Sequence, residues 1–93
     1  MKLTGKALDA FKSWYEVKYG KHYSWSIFID LPLSFQFGVY QDWADSIGYE
    51  IGVTSSDIGF AVWFNDVWIE THKTRQEARN AAIEKLNQIV NEK

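Results

Sequence analysis

The chain has 93 residues, no cysteine and a formal net charge of −2 at pH 7. This length predicts one domain over residues 1–93, and the lack of cysteine excludes a disulfide framework and a thiolate nucleophile. The negative charge argues against binding to a polyanion, because such proteins usually carry a basic excess. No apolar run reaches the roughly 20 residues of a membrane span, so we expect a cytoplasmic protein with no membrane partner.

The first predicted element is a helix near residues 4–19. Its apolar side chains recur at the spacing of one broad helical face, and its charged side chains fall on the other. Thr4 is expected to cap the start of this helix, and Gly20 to take the left-handed position after its end. The next stretch, residues 21–30, alternates aromatic and polar side chains and fits either a short strand or an extended connector.

The stretch over residues 31–48 fits two patterns. Residues 35–39 alternate as in a strand, but the alternation fails from Tyr40 onward. As a helix, the stretch places most of its apolar residues on one face, and only Phe35 and Gln36 fit badly. Because the helical pattern matches more positions over a longer span, we predict a helix near residues 32–47, with a fourth strand over 34–41 as the alternative.

Three short antiparallel strands are predicted after this helix. The segment SSDIG, residues 55–59, provides the first turn, and Asn65-Asp66 provides a two-residue hairpin turn. That second turn would place Trp63 directly opposite Trp68. Both indoles are expected on the sheet face away from the helices, where Glu70 is also expected to point.

The last predicted helix lies near residues 74–91 and begins with a capping box. In this motif the Thr74 hydroxyl accepts the amide of Glu77, and the Glu77 carboxylate reaches back to the Thr74 amide. The buried stripe that follows consists of Ala78, Ala81, Ala82, Leu86, Ile89 and Val90. The predicted fold class is therefore α+β, a three-stranded antiparallel sheet packed against helices in the order α-α-β-β-β-α. If residues 34–41 are extended, the order is α-β-β-β-β-α.

A resemblance lies in three stretches taken together: LTGKALDAFKSWY, LPLSFQFGVYQDWADSIG and KTRQEARNAAIEKLNQI. They resemble small uncharacterised phage and prophage proteins of Bacteroidetes-type bacteria, and the similarity covers most of the chain. That family has no established activity. The resemblance therefore implies a genomic setting, in the cytoplasm of a bacterial host, but no mechanism and no functional residue.

Groups that could carry catalysis or hold a metal are scattered along the sequence. Asp42 and Asp45 lie three apart on one predicted helix face, but no further acidic or histidine partner has a supporting spacing. His22 and His72 are far apart, whereas a metal site needs three or four convergent ligands. We therefore predict no enzyme and no cofactor, and assign the carboxylates to a solvated helix face.

The start of the last helix carries the cations Lys73, Arg75 and Arg79. An α-β-β-β-α order with basic residues at this place resembles the double-stranded-RNA-binding domain, in which lysines here grip phosphates across a groove. In this chain Glu70 and Glu77 lie beside the cations, and a second long helix before the sheet would break that topology. Nucleic-acid binding through this edge is the alternative function, against which the net charge counts.

The aromatic residues indicate a protein partner instead. Phe, Trp and Tyr make up 17% of the chain, and aromatic residues are enriched at interfaces. Trp63 and Trp68 are expected either to stiffen their hairpin as a pair or to anchor a partner or a homodimer. The predicted function is that of a small interaction protein that binds and modulates a host or phage protein, or associates with itself.

Overall fold

The computed structural model describes residues 2–93. Its elements in chain order are α1 (Gly5–Lys18), α2 (Trp25–Phe28), α3 (Leu33–Ser46), β1 (Ile51–Ser56), β2 (Gly59–Phe64), β3 (Val67–His72) and α4 (Arg75–Asn91). The strands form one antiparallel sheet in the order β1-β2-β3, with helices before and after it. The α+β class and the three-stranded order are confirmed, with α2 as one additional helical turn.

The middle segment is helical, as predicted, and the four-stranded alternative is wrong because α3 spans residues 34–41. Two residues fit the helical pattern badly because the apolar Phe35 lies on the exposed side of the helix and the polar Gln36 on the buried side. Phe35 is 66% exposed, whereas Gln36 is 7% exposed. The Gln36 side chain donates from Nε2 to the carbonyl oxygens of Ile29 and Leu31, at 3.2 and 2.9 Å. This buried amide is thus satisfied by the backbone that leads into α3.

Residues 21–30 form neither the strand nor the extended connector that alternation predicted. They contain α2, a single helical turn in which Trp25 and Phe28 are three apart and lie on the same side. Phe28 is buried against α1, with its ring centroid 5.5 Å from that of Phe11 and 4.8 Å from that of Tyr15. The alternating pattern misled the prediction because it grouped Trp25 with Ile27, which is exposed.

The hairpin of β2 and β3 has the predicted turn, and its register is the predicted one from the turn as far as Trp63 and Trp68. Asn65 and Asp66 have φ angles of 51° and 64°, which is the left-handed pair of a type I′ turn. Trp63 pairs with Trp68 across the two strands, as the two-residue turn requires. This part of the sheet was therefore specified by local turn chemistry.

A β-bulge changes the register beyond that pair. Val62 pairs with Glu70, so Ile69 is the extra residue on β3. Ile69 still packs against the core, as expected. Glu70, however, lies on the same side of the sheet as Val62, which is fully buried, so the prediction that Glu70 points away from the helices is wrong.

The turn between β1 and β2 is shorter than the predicted five residues. β1 runs through Ser56 and β2 begins at Gly59, so only residues 57–58 lie between them. Gly59 has a φ of 141°, and a Cβ at this position would overlap the carbonyl oxygen of His72 on β3. Glycine is therefore required here both by the backbone conformation and by the close approach of the neighbouring strand.

The ends of α1 use different contacts from those expected. Thr4 is the N-cap residue, but its side chain makes no capping bond. Its hydroxyl instead accepts from Nδ2 of Asn87 at 3.2 Å. Gly20 is not in the left-handed region; glycine is needed because a Cβ there would lie 2.5 Å from the carbonyl oxygen of Glu16.

The start of α4 forms half of the predicted capping box. The Thr74 hydroxyl accepts the Glu77 amide at 3.1 Å, as expected. The Glu77 carboxylate does not reach the Thr74 amide; it accepts from the Thr74 hydroxyl at 2.9 Å. The reciprocal bond of the motif is thus replaced by a bond between the two side chains.

The core joins two layers with different side chains. α4 packs against all three strands and against α1, and it does so closely because Ala78 and Ala82 are fully buried. The other part of the core is aromatic and lies among α1, α2 and α3: it consists of Phe11, Tyr15, Phe28, Tyr40 and Trp43. The large buried area of such rings compensates for the small size of the chain.

Candidate functional site

Within residues 2–93, one face of the sheet is left uncovered by helices. Side chains alternate across a strand, so α4 covers the face that carries Val62 and Phe64, and the intervening residues point the other way. We call the residues on this second side the open sheet face; they are Gly52, Thr54, Ala61, Trp63, Trp68 and Thr71. The structure thus brings both predicted tryptophans to one uncovered surface.

Each tryptophan of the open sheet face is held by its own threonine. Nε1 of Trp63 donates to Oγ1 of Thr54 on β1 at 2.8 Å, and Nε1 of Trp68 donates to Oγ1 of Thr71 at 3.0 Å. These bonds satisfy the single polar group of each indole. Trp68 is nevertheless 54% exposed, so its apolar ring surface remains available at a fixed orientation.

A cleft opens beside Trp63 at one end of the open sheet face. It is lined by Glu50, Ile51, Gly52, Thr54, Trp63 and Asp66. Glu50 and Asp66 contribute two carboxylates, and a Cβ placed on Gly52 would meet no atom within 4 Å. Within residues 2–93, the single contact at salt-bridge distance joins His72 and Glu70, at 3.0 Å, so neither carboxylate of the cleft is neutralised by a salt bridge.

At the predicted nucleic-acid edge Arg75 is exposed and Arg79 is half-buried, and each guanidinium lies over an aromatic ring. The guanidinium carbon of Arg75 lies 5.1 Å from the ring centre of Phe60, and that of Arg79 lies 5.8 Å from the ring centre of Phe37. Both arginines thus cover aromatic rings of their own chain. Lys73 is exposed at the end of β3.

A second surface, which sequence reasoning missed, is an apolar groove among α1, α2 and α3. It is lined by Tyr15, Tyr19, Tyr23, Phe28, Leu31, Phe35 and Val39. Phe35 is the most exposed aromatic residue at its rim. The misfit of Phe35 in the helical pattern was the available indication, because it puts an apolar ring on the exposed side of α3, where the ring joins the other apolar residues of a contiguous groove.

The acidic residues and histidines do not assemble a metal centre. Within the described part of the chain, no three His, Asp or Glu side chains come together in a way that could hold a metal ion. His72 Nε2 lies 3.0 Å from a carboxylate oxygen of Glu70. Asp42 accepts a long bond of 3.4 Å from the Tyr19 hydroxyl.

The buried phenols Tyr15 and Tyr40 have raised pKa values. Burial raises the pKa of Tyr40 to about 12. Burial, together with neighbouring Tyr19 and Tyr23, also raises the pKa of Tyr15, whose hydroxyl donates to the carbonyl oxygen of Tyr23 at 2.7 Å. Both groups are therefore neutral at physiological pH and act as packing and hydrogen-bonding groups.

No helix in the region from residue 2 to residue 93 combines the length and the apolar character needed to cross a bilayer. No protein-family model matches the chain. The chain also has no significant match among curated proteins or among solved structures. The structural observations that bear on function are therefore those of the surfaces of the molecule.

Proposed function

We propose that this protein is a small interaction module that binds a partner protein through its open sheet face. The observation that carries the proposal is the pair of tryptophans at directly paired positions of β2 and β3, Trp63 and Trp68, on the sheet face that no described helix covers. Tryptophan is among the residues most enriched at binding hot spots. Because α4 covers one face of the sheet, the other face is accessible to a partner.

The two indoles are suited to this role because they are already ordered. Their hydrogen bonds to Thr54 and Thr71 fix the orientation of the rings, and their backbone belongs to paired strands. A partner that buries them does not have to immobilise flexible side chains, which otherwise costs about 0.5–1.5 kcal/mol for each rotamer-rich side chain. Rigid strands also hold contact residues more accurately than loops.

The resemblance to phage and prophage proteins supplies the setting of the proposal. The partner is a protein of the bacterial host or of the phage, met in the cytoplasm, and binding modulates its activity. A second copy of the chain is the other occupant that the same surface would accept. In either case the module acts by contact and not by catalysis.

The experiment compares the proteins captured from bacterial lysate by the tagged chain and by two variants, identified by mass spectrometry. The test variant is Trp63→Ala/Trp68→Ala. The matched control is Phe35→Ala, which removes an exposed aromatic residue from the apolar groove. We expect a captured protein to be retained by the control and weakened at least about tenfold by the test variant, the loss typical of a hot-spot residue.

Circular dichroism must show that each variant is folded; Trp68→Ser serves if the double variant is not, because Trp68 is largely exposed. Capture that is lost with Phe35→Ala and kept with the tryptophan variants would overturn the proposal and assign binding to the apolar groove. Capture that disappears after nuclease treatment of the lysate would overturn it in favour of nucleic-acid binding. Sedimentation velocity of the parent and of the test variant shows whether the chain associates with itself and whether that association depends on the two tryptophans.

A further inference from the structure

We propose that the cleft beside Trp63 receives an arginine side chain of the partner, so that the partner docks a basic segment on the open sheet face. The inference rests on the proposed function and names the chemistry of its partner. It combines three features of one cleft: an indole surface, two carboxylates without a salt bridge, and an open position at Gly52.

The two carboxylates are placed by the hairpin turn. The Glu50 amide donates to the side-chain oxygen Oδ1 of Asn65 at 2.8 Å, and the Asn65 amide donates to the Glu50 carbonyl oxygen, also at 2.8 Å. These two bonds extend the pairing of β1 and β2 by one position beyond Ile51 and Phe64. Glu50 therefore lies on the same sheet face as Gly52, and Asp66 follows Asn65 in the turn.

The charges around the cleft are predominantly negative. Glu50 and Asp66 also line a neighbouring cleft, together with Asp45 and Tyr49. Nζ of Lys93 lies 4.6 Å from the ring centre of Tyr49, which lines that neighbouring cleft. Among the described residues, none of the carboxylates that line these two clefts is in a salt bridge, so a cationic partner group is favoured there.

An arginine side chain fits the cleft better than a lysine side chain does. A guanidinium is planar and stacks on an indole while its N–H groups remain directed outward, where carboxylates can accept them. Glu50 and Asp66 are the charged acceptors of the cleft. The Thr54 hydroxyl, which also lines it, already accepts a hydrogen bond from Trp63. Since Gly52 pairs directly with Trp63 and carries no side chain, the floor of the cleft is open to the arginine stem.

The test uses the full chain and a small probe, the blocked peptide acetyl-Gly-Arg-Gly-amide, at constant ionic strength. The uncharged control is the same peptide with citrulline in place of arginine. Binding is followed by the NMR signals of the five indole N–H groups. We expect the arginine peptide, but not the citrulline peptide, to shift the Trp63 signal, while the signals of Trp14, Trp25 and Trp43 stay unchanged.

Two variants locate the effect. Gly52→Val should abolish the shift because its side chain fills the cleft, and it should keep the fold because Gly52 has neither a positive φ nor a close neighbour. Glu50→Gln/Asp66→Asn should raise the apparent Kd about fivefold, the combined effect of two exposed charge interactions. Equal shifts from both peptides, or an undiminished shift in Gly52→Val, would overturn the inference.

The experiments distinguish failure of the arginine-binding inference from failure of the proposed function. If the arginine peptide leaves Trp63 unaffected while Trp63→Ala/Trp68→Ala still loses the captured partner, the open sheet face binds a partner of another chemistry. If the peptide binds at Trp63 while capture survives the double variant, the cleft exists but the proposed function is wrong.

Discussion

Trp63 faces Trp68 across β2 and β3, yet the two indole N–H groups are bonded to different threonines. The bond from Trp63 crosses to Thr54 on β1, so it ties the ring to a second strand. The bond from Trp68 goes to Thr71 on the same strand, on the other side of the bulge at Ile69. The two rings are thus oriented by contacts on opposite flanks of the pair, and Trp68 remains 54% exposed.

Thr54→Val should release the Trp63 ring without changing the sheet. Valine has nearly the same shape as threonine but accepts no hydrogen bond, so we expect the indole N–H signal of Trp63 to move and its hydrogen exchange to accelerate. The free energy of unfolding should fall by about 0.5 kcal/mol, because the released N–H is close to water. Thr71→Val is the control and should move the Trp68 signal. Equal movement of both indole signals in Thr54→Val would contradict this account.

Ala82→Leu should destabilise the contact between α4 and the sheet. Ala82 is fully buried, and added methyl groups in such a position force neighbouring side chains apart, which costs about 1–3 kcal/mol. Ala81→Leu is the matched control, since Ala81 is only half-buried and its substitution should cost less. Urea denaturation of both variants measures the difference, and equal losses would show that α4 does not lie as close to the sheet as described.

Thr74→Ala should cost about 1 kcal/mol of stability through loss of the N-cap of α4. The substitution removes both the acceptor for the Glu77 amide and the donor to the Glu77 carboxylate. Thr4→Ala is an instructive comparison, because Thr4 occupies the N-cap position of α1 without a capping bond. Thermal unfolding measures both; a Tm of Thr74→Ala equal to that of the parent would mean that α4 begins elsewhere.

The parts of the fold that the sequence predicted are those set by neighbouring residues. The pair Asn65-Asp66 specifies its turn type, and the turn then determines that Trp63 meets Trp68. Helical periodicity over residues 33–46 outweighed a short alternating run for the same reason, since it accumulates over many positions. The open sheet face followed from this local register.

The parts that could not be predicted depend on contacts between distant residues. The bulge at Ile69 reverses the side on which Glu70 lies, and nothing in β3 alone marks it. The helical turn α2 exists because Phe28 packs on Phe11, which is 17 positions earlier in the sequence. The cleft beside Trp63 likewise requires the bonds between Glu50 and Asn65 across two strands.

Stability should decrease in alkaline solution because of Tyr40. Burial raises its pKa to about 12 in the folded chain, whereas an exposed tyrosine titrates near pH 10. Between these values the unfolded state loses the proton that the folded state keeps, so the free energy of unfolding falls as pH rises from about 10 to 12, by about 2–3 kcal/mol. Below pH 10 both states are protonated and Tyr40 contributes no pH dependence.

The measurement is urea denaturation at a series of pH values from 8 upward, for the parent and for Tyr40→Phe. The variant should lose this part of the alkaline slope, while Tyr23→Phe, at an exposed residue, should keep it. The same slope in the parent and in Tyr40→Phe would assign the alkaline destabilisation to other groups.

Arg79 should matter for stability and not for nucleic-acid binding. Its guanidinium covers the ring of Phe37, which is 5% exposed, so Arg79→Ala should cost about 1 kcal/mol through loss of the cation–π contact and of packing. Arg75→Ala should cost less, because Phe60 beneath Arg75 is half-buried. Urea denaturation measures the loss of stability in both variants. An unchanged free energy of unfolding in Arg79→Ala would mean that the contact between this guanidinium and the Phe37 ring does not stabilise the fold.

The same two variants, with Lys73→Ala, also decide the alternative function. If the two arginines stabilise the fold by packing on aromatic rings and do not bind phosphates, immobilised double-stranded RNA should not retain the parent protein in a salt-dependent way. A phosphate-binding edge would behave differently: retention would fall steeply with salt, and each lost cation would lower the slope of log affinity against log salt by about one. Salt-dependent retention that is lost with Lys73→Ala and Arg75→Ala, in folded variants, would replace the open sheet face by the start of α4 as the functional surface.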